Sequence, residues 1–140
     1  MEYTMTEINK EQVENRVRDW KKRVTDLYSD INLWLKDTEY TFKKGSKITM
    51  YEELMSQFGI PASEIDTADV HKGKHFILSI KPKGLWIIGA NGRIDILTTK
   101  GSYMLVDTAD EFSKPQWKLL NGNKKNGMEF NKQTFIQLLK

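Results

Sequence analysis

Val13, Val17, Trp20, Val24, Leu27, Ile31 and Trp34 recur at alternating gaps of four and three residues. That spacing keeps the apolar side chains on one stripe of an α-helix. The pattern predicts a helix over about 7–36, with Thr6 as N-cap and Glu7 and Glu11 near the positive end of its dipole. At about 1.5 Å per residue, roughly 30 residues make a rod of about 45 Å. Two destinations for the stripe follow. With Val17, Val24 and Ile31 at heptad position a and Val13, Trp20, Leu27 and Trp34 at d, the segment 13–34 could pair with a second copy as a coiled coil. Two indoles fit such a seam poorly, and Tyr28, Leu33 and Leu35 widen the apolar surface toward the C-terminal end. Burial in the chain's own core is therefore the preferred expectation.

Downstream, residues 38–60 read as a connection followed by a short helix. Tyr40–Phe42 and Lys47–Thr49 would form a small hairpin around Lys43-Lys44-Gly45-Ser46. Thr49 and Glu52 have capping-box spacing, Tyr51, Leu54, Met55 and Phe58 make an apolar helical face, and Gly59 with Pro61 would stop a helix at about 50–58. The stretch 61–73 lacks sustained periodicity and reads as a loop.

From His75 the period changes to two. Strands are expected at 75–80, 85–90, 93–98 and 102–107, with turns at Pro82-Lys83-Gly84, Asn91-Gly92 and Lys100-Gly101. A further pair is expected at Trp117–Leu120 and Met128–Phe130, and Asn131 would cap a last helix over 131–140 carrying Phe135, Ile136, Leu138 and Leu139. The whole is expected to be one α+β domain over 1–140: a long N-terminal helix packed on an antiparallel β-meander of four to six strands within 75–130, with a short middle helix and a C-terminal helix.

Side-chain alternation through these turns divides the meander into two faces. Phe76, Leu78, Ile80, Leu85, Ile87, Ile94, Ile96, Tyr103 and Leu105 would face the long helix. His75, Ile77, Ser79, Trp86, Ile88, Arg93, Asp95, Leu97, Met104 and Val106 would face away. That second face is too apolar to sit bare in water, so it needs a cover. The helices at 50–58 and 131–140 are the expected cover, and a partner or ligand is the alternative.

Composition narrows the function classes. With no cysteine, disulfide scaffolds, thiolate zinc sites and thiol nucleophiles fall away together. No apolar run approaches the roughly 18 residues of a membrane span, and the first residues carry neither a basic start nor a hydrophobic stretch, so a cytoplasmic location without a membrane is expected. Acidic residues number 19 against 22 basic, a net charge of +3. An anionic partner would thus have to be recognised by a local patch. His71 and His75 are the only histidines, and they converge on a metal only in a helix, which Gly73 disfavours, so neither metal nor cofactor is expected. No phosphate loop or nucleophile elbow is present.

What remains is the second face. Arg93 there would be an anion receptor and Trp86 a stacking wall, with Asp95, Ser79 and His75 lining the same groove, unless Arg93 simply pairs with Asp95. The expected function is a non-enzymatic cytosolic binding or regulatory module that recognises a protein partner or a small anionic ligand through this face. One alternative is a nucleic-acid-binding accessory protein using Lys81, Lys83, Arg93 and Lys100 beside the aromatic face. The other is an enzyme without a recognisable motif. A homodimer through the helix at 13–34 or through the second face is a further expectation.

Overall fold

Asn9 starts the first helix: its side chain accepts from the Gln12 N–H at 2.9 Å while the Gln12 side chain accepts from the Asn9 N–H at 2.9 Å. This reciprocal cap satisfies two otherwise orphaned donors and sets α1 at Lys10–Trp34. Thr6 and Glu7, proposed near the helix start, lie outside the described residues. The computed structural model describes residues 9–85, 91–110, 112–121 and 127–140. α1 is followed by β1 (Tyr40–Met50), α2 (Glu53–Gln57), β2 (Ser63–Lys72), β3 (His75–Gly84), β4 (Arg93–Thr98), β5 (Gly101–Asp107), β6 (Trp117–Asn121), β7 (Met128–Glu129) and α3 (Lys132–Leu138). The chain is α+β, and its strands form a seven-stranded antiparallel sheet in sequence order rather than one of four to six.

The differences from expectation have local causes. Residues 40–50 do not fold back on themselves. They run as one strand, with a bulge between Lys44 and Lys47 where the Thr67 hydroxyl donates to the Ser46 carbonyl at 2.6 Å. Thr49 belongs to this strand, opposite Glu64, so it cannot cap α2. Glu52 occupies the N-cap instead and its carboxylate accepts from the Leu85 N–H at 2.9 Å. Gly59 does hold the positive-φ position after α2, at +68°. The expected loop at 61–73 contains β2. Its buried positions switch parity, from Ile65 and Thr67 to Ala68 and Val70, opposite the β1 bulge, and that break hides the strand from an alternation test.

The meander also differs. β3 passes through Pro82 without turning, and β4 pairs with β3 on one side and β5 on the other. Both edges of β4 are thus taken by β3 and β5, where pairing with 85–90 was expected. Residues 86–90, including Trp86, Ile87 and Ile88, lie outside the described residues. Pro82 is tolerated because it adjoins a bulge, and beyond Ile80 the strand is paired only with β4.

All three helices bury their apolar side chains on the same face of the sheet. Val13, Val17, Trp20, Val24, Leu27 and Ile31 of α1 share one cluster with Met55 of α2 and Phe135 of α3, closed below by Val70, Leu78, Ile80, Ile94, Ile96, Leu105 and Leu119. The α1 stripe is consumed by this core, which removes the coiled-coil reading: these six α1 residues are at most 6% exposed.

Tyr28 ties α1 to β2, its hydroxyl donating to the Asp66 carbonyl at 2.7 Å while the ring meets Phe42 at 5.5 Å. Tyr28→Phe should cost about 1 kcal/mol in urea unfolding at neutral pH. Burial, with the Asp66 charge adding to it, raises the Tyr28 pKa. The folded state therefore holds the phenolic proton more tightly than the unfolded chain. Its contribution is complete below about pH 10 and is lost as pH rises further. The Tyr28→Phe variant should show a correspondingly smaller alkaline loss of stability. An unchanged alkaline profile would reject this assignment.

Candidate functional site

Cross-strand partners in an antiparallel ladder share a face. Outward from the helices, one row runs Arg93, Val106, Lys118 and Glu129, the next Lys81, Asp95, Met104 and Leu120, and the third Asp69, Ser79, Leu97 and Ser102. Leu97, Met104, Val106 and Leu120 are adjacent in this lattice and half-buried. None belongs to the helix-side cluster or packs against it. Among the described residues no helix lies over them. The expectation that the middle and C-terminal helices cover this face is thus overturned, because both spend their apolar side chains on the α1 side.

The structure brings together only part of the expected site. Arg93 Nε donates to Asp95 Oδ1 at 2.9 Å, the two side chains being 42% and 16% exposed. The guanidinium so expected to receive an anion already has an internal carboxylate. Ser79 is buried between Asp69 and Leu97, on the same face as the pair. His75 is elsewhere. A bulge between Val70 and His71 reverses parity at the start of β3, so His75 lies opposite Lys72, in the row that continues to Tyr40 on the helix side. Nine residues of β3 separate it from the partner of Arg93, about 30 Å at about 3.3 Å each. The same bulge exposes Phe76, expected in the core, at 45%, while Ile77 packs on the core instead. Phe76 meets His71 edge-on at 5.8 Å. Trp86 lies outside the described residues.

Of the residues of the nucleic-acid alternative, Lys81, Lys83 and Arg93 lie near one another and Lys100 lies apart. Lys81 is exposed opposite Asp95, and Lys83 is exposed at the bulge between Pro82 and Gly84. Lys100 sits in the β4–β5 turn, seven residues or about 23 Å along β4 from Arg93, where its ammonium donates to the Lys140 carbonyl. Lys100 is therefore at the opposite end of β4 from Arg93, near which Lys81 and Lys83 lie.

Two features escaped sequence reasoning. One is a buried ionic latch. Arg23 donates to Asp19 at 2.7 Å, to Asp107, and to the Ser113 carbonyl, while Asp107 Oδ1 accepts from the Ala109 and Gln116 N–H groups at 3.0 and 2.9 Å. It fastens the segment 108–116 to α1. On the sequence, Arg23 reads as one more solvated charge beside Asp19. The other is a cleft of about 550 Å³ where that segment meets α1 and β6, with Trp34 and Trp117 in its wall. Among the described residues no group of three or more His, Cys, Asp or Glu is arranged to hold a metal ion, and no helix is long and apolar enough to cross a membrane.

No family model matches the chain, and no curated protein and no solved structure is a match to it.

Proposed function

We propose that the chain is a non-enzymatic binding or regulatory module that recognises a protein partner through the face of its sheet opposite the three helices. The observation that carries this reading is the one-sided placement of the helices, which leaves Leu97, Met104, Val106 and Leu120 contiguous on the other side. Burying such a patch yields around 25 cal/mol per Å² of apolar surface removed from water. The Arg93–Asp95 pair and Lys81 border it, giving the polar rim typical of a protein interface. A protein partner is favoured over a small anion because Arg93 is held by Asp95 and is not a vacant receptor.

Met104→Lys and Val106→Glu test this. Each replaces a half-buried side chain facing away from the core, so each should shift the melting temperature by no more than about 5 °C. Each should also weaken binding of the purified partner by at least about tenfold. Ile96→Lys, on the buried face of the same strand as Leu97, is the contrasting control and should fail to fold. Retention of the partner by both outward variants would reject the reading. So would oligonucleotide binding by the wild-type chain that falls steeply with salt, which would transfer the function to nucleic acid.

A further inference from the structure

β1 is the terminal strand of the sheet: it pairs with β2, and among the described residues no strand lies on its other side. Backbone N–H and C=O groups alternate in direction along an antiparallel pair, so every second residue of such a strand presents both groups away from its neighbour. The Tyr40 N–H meets the Thr38 hydroxyl at 3.1 Å, outside the ladder, which puts Phe42 and Lys44 in the same outward-directed set. Against this edge the end of α1 forms a groove of about 350 Å³, walled by Leu33, Lys36, Tyr40 and Phe42. Leu33 is 67% exposed there, while the Phe42 ring is braced by Tyr28 at 5.5 Å. Charge on the strand is one-sided, for β1 carries Lys43, Lys44 and Lys47 and no acidic residue. Lys43 stands opposite Asp69 on the outward face and Lys44 opposite Ala68 on the core face. A single carboxylate, Asp66 of β2, serves both Lys44 at 3.9 Å and Lys47 at 2.9 Å.

We propose that residues 40–44 of this edge bind an extended acidic segment of another protein as an added strand. The main-chain groups of Phe42 and Lys44 supply the ladder bonds. A side chain opposite Phe42 falls on the core face, where the groove beside Leu33 suits an apolar residue, and side chains opposite Lys43 and Lys44 meet an ammonium group on either face. A second copy of the chain is disfavoured as the occupant, since antiparallel pairing of two β1 edges about this stretch sets lysine against lysine. The bulge between Lys44 and Lys47 limits the added strand to the first half of β1. This edge is separate from the outward apolar patch on β4, β5 and β6, and neither proposal depends on the other.

The probe is the peptide acetyl-Glu-Glu-Val-Glu-Glu-amide, which offers the same order of side chains in either strand direction. It should bind at low salt with Kd of about 0.1 mM. At saturation, hydrogen exchange at the Phe42 and Lys44 amides should slow at least about tenfold, while the Thr41 and Lys43 amides, already turned to β2, change little. Methylating the valine nitrogen leaves every charge in place and removes a ladder donor, so it should weaken binding at least about tenfold. Replacing the glutamates by lysines should abolish binding. Lys43→Glu and Leu33→Asp, both at exposed side chains, should each weaken the peptide at least about fivefold and leave the melting temperature within about 3 °C. Met104→Lys should leave peptide binding unchanged, which separates this edge from the outward patch. The proposal is overturned if the peptide fails to bind at about 2 mM, if the N-methylated form binds as well as the parent, if protection appears elsewhere than at Phe42 and Lys44, or if the chain dimerises through β1 and protects these amides without peptide.

Discussion

Arg23→Ala is expected to destabilise the protein by about 3–5 kcal/mol, since removing one member of a buried ion pair strands the other. Arg23 is 2% exposed and Asp107 0%. With the guanidinium gone, Asp107 would keep its two backbone donors on Oδ1 but would have an uncompensated charge in the interior. The Ser113 carbonyl would lose its donor too, freeing one anchor of the 108–116 segment. Urea unfolding should show the loss with little change in m, and Tm should fall by on the order of 10 °C. Asp107→Asn should cost less, because Arg23 retains Asp19 at 2.7 Å and a neutral amide leaves no buried net charge. Replacing both partners by apolar residues, Arg23→Met with Asp107→Leu, should recover part of the loss. A drop below about 1 kcal/mol in Arg23→Ala would mean that the pair contributes no more than a surface contact.

The same pair shows where sequence reasoning reached its limit. Periodicity over three heptads made α1 legible, and Asn131 was recognisable as a cap because its hydrogen bonds lie within four residues. Arg23 and Asp107 are 84 residues apart, so nothing local distinguishes that arginine from its solvated neighbours. Bulges were the second obstacle. A single extra residue opposite Thr67 reversed the alternation of β2 and hid it, and another at Val70/His71 moved His75 off the expected face and Phe76 out of the core.

Face assignment survived a wrong topology. Leu78, Ile80, Ile94, Ile96 and Leu105 do face α1, and Ser79, Arg93, Asp95, Leu97, Met104 and Val106 do face away, although 93–98 pairs with β3 and not with 85–90. Parity is preserved because Pro82 and Ile94 are cross-strand partners, as the core-facing positions of either arrangement require. The side taken by α2 and α3 was not legible. Amphipathicity says that a helix needs a surface, not which one. Here the outward face carries Lys81, Arg93 and Asp95 among its apolar residues, and covering it with those helices would desolvate these charges.

Gly92→Ala is expected to cost about 2–5 kcal/mol, from backbone strain and overpacking together. The dipeptide Asn91-Gly92 resembles a hairpin turn, and the structure uses both residues differently. Asn91 donates its N–H to the Asp107 carbonyl at 2.8 Å, and its side-chain oxygen accepts from Arg16 at 2.8 Å, which docks α1 on the start of β4. Gly92 has φ of +123°, a conformation that a residue with a Cβ rarely adopts. A Cβ there would also lie 2.3 Å from Trp20 Cζ3 and 2.6 Å from Cη2. Trp20 is fully buried, with Trp117 against it, and cannot move aside. The two contributions separate in a double-mutant cycle. In a Trp20→Leu background the steric part disappears and only the φ penalty remains, so Gly92→Ala should cost at least about 1 kcal/mol less than in the wild type. Equal costs in both backgrounds would show that backbone conformation alone demands glycine there, and a cost below about 0.5 kcal/mol in the wild type would contradict the close approach of Trp20 to this strand.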